Sequence, residues 1–546
     1  MKIVECVPNI SDGRNPEVYN AVAQAAAAVT GVELLDVDPG QETNRTVITF
    51  VGEPEAVLEG AFAVVKRSFE LIDMQTHHGA HGRQGATDVC PFVPVSGVTM
   101  DDCVELSKRL GKRVGEELGI PVFLYEYAAT RPERRSLADI RKGEYEALEE
   151  KLKTPEFAPD FGPATFVPGF GVMVTGARKF LVAYNVDLNV TDKRWANRVA
   201  FDVRENGRTV KGPDGKKTQQ PGMLKAVRGV GWFIPEYGCA QVSMNLIDLD
   251  VTPVHVAFDA CDEAARARGI RVTGSELVGL IPRSSMLEAG RHYLTRMERS
   301  PGVPTADLIH SAVQSLGLNE VSEFNPEEKI IEDILAPDRP LASMTLQGFA
   351  DETSRDSTAP GGGSVAALAG ALAASLAAMV ANLPHPKAPF AKVRGELEKV
   401  SVRGQELKQQ LLDAIDEDTW SFQRLMDANK VAGEGKAAAV RAATLGAAQV
   451  PLEVTEACPE VVELCARARE LGMAASASDA GVGAAMARAA ALGAAMNVRI
   501  NLQDMADDVE AAAMLERADV ALSATSKAAA ALEAEVWQLL GGGELA

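Results

Sequence analysis

The stretch VAALAGALAASLAAMVANL, residues 365–383, decides how the second half of this chain folds. It is long enough to cross a membrane, but it consists mainly of alanine, which inserts far less favourably than leucine or phenylalanine. No cluster of basic residues and no aromatic belt flanks it. Small residues at helical spacing suit helices that pack very closely. The stretch therefore predicts a buried helix of a bundle and no membrane span.

The chain changes character near residue 340. After that point alanine-rich helical patterns prevail, and almost no strand signal remains. The predicted helices cover residues 345–353, 362–383, 387–428, 434–468, 472–499 and 503–540. Before that point β-branched runs alternate with helical patterns, which indicates α/β sandwiches. Residues 329–343, which contain Pro337 and Pro340, predict a linker.

These patterns together predict a multidomain protein, and the length of 546 residues fits three or four domains. We expect two α/β subdomains of the ferredoxin-like sandwich type, at residues 1–176 and 177–328. The linker at 329–343 then leads into an all-α helical-bundle domain at 344–546. The glycine- and proline-rich excursion at residues 211–222 predicts a surface loop.

Charge and cysteine content narrow the class of partner. Fifty-five basic and 76 acidic residues give a net charge of −21, which argues against nucleic acid or an anionic membrane as a partner. The seven cysteines are scattered and form no CxxC pair, so they predict neither a disulfide framework nor a zinc site. The N-terminal MKIVECVPN lacks the long apolar core of a signal peptide. We expect a cytoplasmic protein that binds small molecules.

A histidine-rich loop is the first candidate site. His77, His78 and His81 fall within five residues, and glycines around them allow the loop to approach a ligand closely. Histidine is the side chain best suited to exchange protons near neutral pH. Three interpretations stay open from the residues alone: a catalytic base, a metal-binding loop and an ordinary polar loop.

The second candidate is the segment GPATFVPGFG. Its density of glycine and proline fixes a loop shape, and a phenylalanine in it is able to stack on a planar ring. No GK[ST] follows, so it is not a Walker A loop. An interdomain connector is the alternative interpretation. The ten residues are Gly162, Pro163, Ala164, Thr165, Phe166, Val167, Pro168, Gly169, Phe170 and Gly171.

The helical half carries two further candidates. Ser364 ends the run PGGGS directly before an apolar helix, where free backbone N–H groups suit an anion or carboxylate; a flexible N-cap is the alternative. The acidic cluster Asp413, Asp416, Glu417 and Asp418 lies in a long helical pattern. Either one of its carboxylates faces the bundle interior or the cluster is a solvated helix face.

Three polar residues stand inside small-residue helices of the same half: Asp479, Asn497 and Asn501. Buried polar groups need hydrogen-bond partners. These residues therefore either link helices or line a site.

Taken together, these segments closely resemble the bifunctional formimidoyltransferase-cyclodeaminase family of histidine breakdown. The resemblance runs nearly end to end, with both domains in the family's order, which is more specific than any one motif. It is carried by VECVPNISDGRN, TNRTVITFVG, GATDVCPFVPV, DFGPATFVPGFG, TGARKFLVAYNVDLN, QPGMLK, SELVGLIP, APGGGSVAALAGALA and residues 416–422.

The resemblance implies two successive reactions on tetrahydrofolate, which serves as a co-substrate with or without a polyglutamate tail. The first moves a formimidoyl group from N-formimidoyl-L-glutamate to N5 and releases glutamate. The second closes the ring to 5,10-methenyltetrahydrofolate and releases ammonia. No metal is required, and the family is a ring-like homo-oligomer.

The resemblance also assigns roles to residues. It makes His81 the transferase base and Asp418 the cyclodeaminase carboxylate, and it places folate against the loop 162–171 and Gly222. We expect Ser364, Asp479, Asn497 and Asn501 to bind the pterin or the glutamyl tail.

Two positions near the transferase site need separate mention. Arg45 is a candidate partner for a substrate carboxylate, because guanidinium matches carboxylate geometry; a structural ion pair is the alternative. Where relatives often have Glu-His-Pro around the base, this chain has Ala80-His81-Gly82. The change removes a carboxylate beside the histidine, which puts the rate in question more than the role.

Two alternatives to a bifunctional enzyme stay open. One is a formimidoyltransferase whose helical domain is an inactive oligomerisation or folate-binding module. The other is a folate-binding or scaffolding protein in which both sites are silent.

Overall fold

The structure is a computed structural model, and it describes residues 2–41, 43–79, 82–211, 216–357, 359–433, 435–505 and 507–543. It divides into two compact units. The first comprises Met1–Ser285 and Leu316–Ala336, and the second comprises Met286–Ser315 and Pro337–Ala546. The first is α/β and the second is helical, which confirms the predicted fold class. The subdomain and linker boundaries stay predictions.

The first seven strands form one sheet. In chain order the elements are β1 (Ile3–Cys6), β2 (Asn9–Ile10), α1 (Pro16–Ala27), β3 (Val32–Gly40), β4 (Arg45–Gly52), α2 (Pro54–Leu71), β5 (Thr87–Ser96), α3 (Met100–Glu117), β6 (Val122–Glu126), α4 (Leu137–Ile140), α5 (Leu148–Lys151) and β7 (Met173–Ala177). The order across the sheet is β3-β4-(β1, β2)-β5-β7-β6, and only the pairs that involve β7 are parallel. From β1 to β5 the succession is β-α-β-β-α-β, as in a ferredoxin-like sandwich.

Local sequence explains these elements. In β4 the buried residues Thr46, Ile48 and Phe50 alternate with half-exposed ones, the period of a strand with one face on the core. α3 begins at a capping box, in which Thr99 and Asp102 each accept a hydrogen bond from the other's backbone N–H. The N-terminal stretch forms two strand segments, β1 and β2, which pair with β4 on one side and β5 on the other.

A second β-α-β-β-α-β succession follows, with a two-stranded hairpin inserted after its first helix. Its elements are β8 (Val182–Leu188), α6 (Lys193–Val203), β9 (Arg208–Lys211), β10 (Lys217–Gln220), β11 (Val227–Ile234), β12 (Cys239–Leu246), α7 (Val254–Arg266) and β13 (Val272–Val278). The antiparallel sheet has the order β11-β12-β8-β13. β9 and β10 form a separate hairpin. The segment 211–222, predicted as a plain loop, thus includes a strand, and residues 212–215 lie outside the described residues.

The remaining elements are helical: α8 (Arg283–Arg296), α9 (Thr305–Leu316), α10 (Pro326–Lys329), α11 (Ile331–Ile334), α12 (Leu346–Thr353), α13 (Gly362–Asn382), α14 (Arg394–Lys430), α15 (Lys436–Leu471), α16 (Ala477–Leu502) and α17 (Val509–Leu539). The two shortest, α10 and α11, belong to the first unit. Most of α8 and α9 and all of α12–α17 form the second unit.

α13 supplies the core of the helical unit. Ala367, Ala373, Ala374 and Ala377 on it have no exposed surface and pack with leucines and valines of α14 and α15. Among the described residues α13 is the one helix long and apolar enough to cross a membrane, a test of length and composition that core helices also pass. In its most apolar window 61% of the residues are buried inside the protein. This burial agrees with the predicted bundle helix.

Candidate active sites

Both ring nitrogens of His77, the first histidine of the loop, form hydrogen bonds within the protein. Its Nε2 lies 2.8 Å from the carbonyl oxygen of Asn44, and its Nδ1 accepts a hydrogen bond of 3.3 Å from Arg83. The proton therefore resides on Nε2, and neither nitrogen is left for a substrate. Burial lowers the pKa of His77, and the charge of Arg83 adds to this effect. His77 is thus a neutral anchor of the loop.

His78 is exposed, and its backbone carbonyl accepts a hydrogen bond of 3.0 Å from the Asn44 side chain. His81 and Ala80 lie outside the described residues. Asn44, directly before β4, therefore holds the backbone on the N-terminal side of the predicted base.

Arg83 ties the other side of the loop to the segment before α5. Its guanidinium donates to Glu146 at 2.7 and 2.9 Å, to Glu144 at 3.2 Å and to the His77 carbonyl at 3.1 Å. A Cβ placed on Gly82 would lie 3.3 Å from the Glu144 carboxyl group. The Glu144 carboxylate thus lies against Gly82, next to His81. The sequence had suggested that this chain lacks the carboxylate that relatives often have beside the base.

Arg45 lies in a buried ion-pair network. It donates to the Asn9 side chain at 2.7 and 3.0 Å and to Asp88 Oδ2 at 2.7 Å, and Arg141 donates to the same Asp88 oxygen. The Asp88 side chain is 1% exposed, and its other oxygen accepts from the Gln84 backbone at 2.9 Å. Arg45 therefore takes part in a structural ion pair, which was the alternative interpretation of this residue.

The glycine-rich segment lies directly beside the histidine loop. The Phe170 carbonyl accepts from Ala86 N–H at 2.8 Å, and the Gln84 carbonyl accepts from Val172 N–H at 3.0 Å. Gly171 has φ = +84°, and a Cβ there would overlap the Gln84 carbonyl, so only glycine allows this approach. The structure thus brings two of the predicted site segments together.

The two phenylalanines of this segment differ in availability. Phe170 is fully buried and packs against Phe69, with ring centroids 5.9 Å apart. Phe166 is partly exposed, and its ring lies 5.4 Å from the ring of Tyr145, whose hydroxyl donates to the Pro168 carbonyl at 2.6 Å. Of the two rings, that of Phe166 is therefore the accessible one.

Gly222 lies in a different environment. A Cβ on it would overlap the Arg204 carbonyl. It lines a cavity of about 360 Å³ whose walls come from α6, α7 and the β10 end of the hairpin. The lining residues are Phe201, Asp202, Arg208, Gln220, Pro221, Gly222, Met223, Glu263, Ala264, Ala267 and Arg268. None of them belongs to the histidine loop or to the segment 162–171.

In the helical unit Asp418 meets the first turn of α13. Its Oδ2 lies 3.2 Å from the Ser364 hydroxyl, and the Ser364 backbone N–H also donates to the carboxylate. A Cβ on Gly363 would overlap the carboxylate, so glycine is required at this contact. Burial raises the pKa of Asp418, and the two bonds from Ser364 oppose that effect. The structure thus brings Ser364 and Asp418 together.

The other acids of the cluster serve the fold. Asp416 is buried and accepts the backbone N–H groups of Leu341 and Ala342 at 2.9 and 3.0 Å. Asp413 pairs with Arg339 and Glu417 with Arg424 near the surface. One carboxylate of four is therefore directed at the glycine-rich turn.

The polar residues of α16 divide between the two roles left open for them. A Cβ on Gly362 would lie 3.2 Å from the Asn497 amide nitrogen, so Asn497 borders the first turn of α13. Asn501 donates to the Ala447 carbonyl of α15 at 2.9 Å and links helices. Asp479 stands in the first turn of α16, 18 residues before Asn497, or about 27 Å along the axis. Asp479 therefore lies far from the part of α16 that borders the turn.

Sequence reasoning missed Arg141, Glu144 and Glu146. They stand about 60 residues after the loop that they contact, in a segment without motif spacing. Only the tertiary fold brings them to Asp88 and Arg83. The described residues include no group of three His, Cys, Asp or Glu side chains that could hold a metal ion.

Three family models match the chain in succession. They are the formiminotransferase domain, N-terminal subdomain, at residues 3–178, the formiminotransferase domain at 183–336, and formiminotransferase-cyclodeaminase at 345–520. The second of these includes residues 286–315, which the structure groups with the helical unit.

Full-length relatives agree with the family models. The formimidoyltransferase-cyclodeaminase of Mus musculus is 42% identical over 93% of this chain and 94% of its own length. That of Dictyostelium discoideum is 42% identical over 93% of each. The glutamate formimidoyltransferase of Streptococcus pyogenes serotype M1 is 41% identical over 54% of this chain and 93% of its own length.

A solved structure of formiminotetrahydrofolate cyclodeaminase from Thermotoga maritima is also similar. It is 28% identical and matches 36% of this chain and 96% of that chain, with a TM-score of 0.33. The three successive family models and the identity of about two fifths over nearly the whole length confirm the resemblance found in the sequence. The chain belongs to the formimidoyltransferase-cyclodeaminase family.

Proposed function

We propose that this chain carries out both reactions of its family. It transfers a formimidoyl group from N-formimidoyl-L-glutamate to N5 of tetrahydrofolate, and it then closes the product to 5,10-methenyltetrahydrofolate with release of ammonia. The observation that carries this proposal is Asp418. A mostly buried carboxylate of raised pKa, held against a glycine-rich helix start, is suited to proton transfer in the half of the chain that a transferase alone would not need.

In the transferase reaction N5 attacks the amidine carbon of the donor. His81 removes the N5 proton as the new N–C bond forms, and it then protonates the glutamate nitrogen as the old C–N bond breaks. General acid–base catalysis of this kind contributes typically about 10²–10⁴-fold. The anchoring of His77 and Arg83 on either side supports this role, because a base acts only from a fixed position.

Substrate binding is assigned to the segments beside the base. The loop 162–171 holds tetrahydrofolate, with the partly exposed Phe166 ring against the pterin. Arg45 and Arg141, which both contact Asp88, are assigned to attract a glutamate carboxylate. Gly222 and Asp479 remain candidates for the folate tail, including a polyglutamate tail.

In the cyclodeaminase reaction N10 attacks the same carbon. Asp418, initially a carboxylate, accepts the N10 proton as the ring closes. It then returns this proton to the departing nitrogen, which leaves as ammonia. Asn497, beside the same turn, is assigned to bind the pterin.

Both reactions are assigned to the cytoplasm. All seven cysteines are free in the structure, which fits a reducing compartment.

The test mixes the purified protein with N-formimidoyl-L-glutamate and tetrahydrofolate and follows methenyltetrahydrofolate and ammonia. Both products are expected. His81→Ala should abolish both products, whereas Asp418→Asn should accumulate 5-formimidoyltetrahydrofolate.

Two other outcomes would point to different functions. Glutamate without ammonia would leave a transferase with a silent helical unit. Absence of both products would leave folate binding as the remaining activity.

A further inference from the structure

The hydroxyl of Ser364 lies between two acceptors on α14. Its Oγ is 2.9 Å from the Ile415 carbonyl oxygen and 3.2 Å from Oδ2 of Asp418. Ser364 has no exposed surface, so water does not complete its hydrogen bonds. A serine hydroxyl carries one hydrogen and two lone pairs, and it therefore donates to only one of these acceptors at a time.

The two protonation states of Asp418 use this hydroxyl in opposite ways. When Asp418 is a carboxylate it has no hydrogen to give, and Ser364 donates to Oδ2. When Asp418 is protonated, its own O–H donates to Ser364 Oγ, and the serine hydrogen turns to the Ile415 carbonyl. Rotation of one hydroxyl thus keeps the Ser364–Asp418 bond in both states, and no heavy atom moves; the bond to the Ile415 carbonyl is made only when Asp418 is protonated.

We propose that Ser364 is a positioning residue for the ring closure, whose hydroxyl holds Asp418 at the start of α13 in both protonation states of the reaction cycle. The inference rests on the proposed function, since it assumes that Asp418 carries the proton from N10 to the departing nitrogen. Gly363 supports it, because a side chain at this position would displace the carboxylate from the hydroxyl. Ser364 therefore acts through Asp418.

Charged groups around Asp418 do not take over this role. α13 contains no charged residue. Asp416, Glu417, Arg441 and Arg499 on α14, α15 and α16 make their contacts elsewhere, with Leu341, Arg424, Asp508 and Asp519 respectively. Apart from burial, the bonds from Ser364 are what acts on the pKa of Asp418.

The test uses the full chain and supplies 5-formimidoyltetrahydrofolate directly, with ammonia release followed across the pH range. Ser364→Ala is expected to lower kcat about 10- to 100-fold, the range for one lost hydrogen bond to a charged group, and to leave KM nearly unchanged. The acidic limb of the kcat profile should move to higher pH, because the carboxylate form loses a donor.

Two matched variants and one internal control accompany it. Ser375→Ala removes a hydroxyl from the same helix, where it bonds only the Ala371 carbonyl at 2.8 Å, and should leave kcat and its pH profile unchanged. Ser364→Cys keeps the size but offers a weaker donor, so an intermediate kcat is expected. The transferase rate of each variant reports whether the chain has folded.

The inference is overturned if Ser364→Ala retains the kcat and pH profile of the unchanged enzyme, or if its kcat falls equally at every pH. A failure of the proposed function looks different. In that case the unchanged enzyme releases no ammonia, or Asp418→Asn remains active, and the role of Ser364 falls with it.

Discussion

Gly363 has no Cβ, and this leaves room for the Asp418 carboxylate beside the first turn of α13. We expect Gly363→Ala to displace Asp418 and to lower the cyclodeaminase rate about 100-fold, as misplacement of a reacting group by about 1 Å does. The transferase rate should not change. Separate assays of the two half-reactions measure both effects.

The control for this variant is Gly446→Ala on α15, where an added Cβ meets no atom within 4 Å. Alanine should there stabilise the helix by up to about 1 kcal/mol and leave the ring closure intact. A Gly363→Ala enzyme with full cyclodeaminase activity would contradict the close approach.

Glu5 in β1 is a buried acid that no proposed step uses. Burial raises its pKa from 4.5 to about 7, against the attraction of Arg178. The folded state therefore prefers the protonated form, and stability is lost as the pH rises from about 4.5 through about 7. Glu5→Gln should stabilise the protein at pH above 7 by an amount on the order of 3 kcal/mol.

Thermal unfolding at several pH values measures this difference. The gain should vanish at pH below about 4.5, where both forms of the protein carry a neutral side chain. An equal gain at all pH values would mean that packing, and not ionisation, distinguishes the two residues.

Among the helices, α14 shows how one run of acids can hold several roles. Successive turns of the helix direct its carboxylates to the surface, to a backbone turn and to α13. The hydropathy pattern predicted the helix. It could not show which of the acids is directed at a site, because their partners come from segments 50 to 75 residues away. The resemblance alone selected Asp418.

We expect Asp416→Ala to destabilise the helical unit by about 2–4 kcal/mol, since two buried N–H groups lose their acceptor. Asp413→Ala, which removes an exposed ion pair on the same helix, should cost less than about 1 kcal/mol. Chemical denaturation measures both. Equal costs would show that burial of Asp416 adds nothing.

The elements themselves were largely predictable. The long periodic helices at 362–383 and 503–540 are found as α13 and α17, with ends that differ by at most six residues. β7 was not predicted as a strand, because its sequence MVTGA is short and follows directly on the glycine-rich segment. The β9–β10 hairpin was not predicted, because a segment rich in lysine, glycine and glutamine is typical of a loop.

At the scale of the whole molecule, α13 leaves part of one face uncovered. Val365, Leu372 and Met379, spaced seven residues apart, are 41%, 45% and 38% exposed. An apolar stripe of this kind fits the predicted homo-oligomer. We expect Leu372→Glu to lower the molar mass measured by light scattering.

Val520→Glu is the control, because Val520 is an exposed apolar residue on a different helix, α17, and it should leave the mass unchanged. If the protein without substitution is a monomer, the predicted oligomer does not form. If Leu372→Glu leaves the molar mass unchanged, the subunits do not associate through this face.

The candidate sites were less predictable than the fold. The sequence located the loop of His81 and the segment 162–171, but not that backbone hydrogen bonds join them through Gln84 and Phe170. Arg141 and Glu146 have no local pattern, since their role arises only when the chain folds back on itself.

The segment 286–315 belongs to the transferase family model, yet it packs within the helical unit. There the Ser300 hydroxyl meets that of Ser401, and the Gly302 carbonyl accepts from Asn382 at 2.7 Å. The chain thus passes between the units three times. A protease that cleaves the chain after Ala336 would leave residues 286–315 of the helical unit on one fragment and the rest of that unit on the other. We expect the nicked halves to elute together under native conditions and to separate only in denaturant.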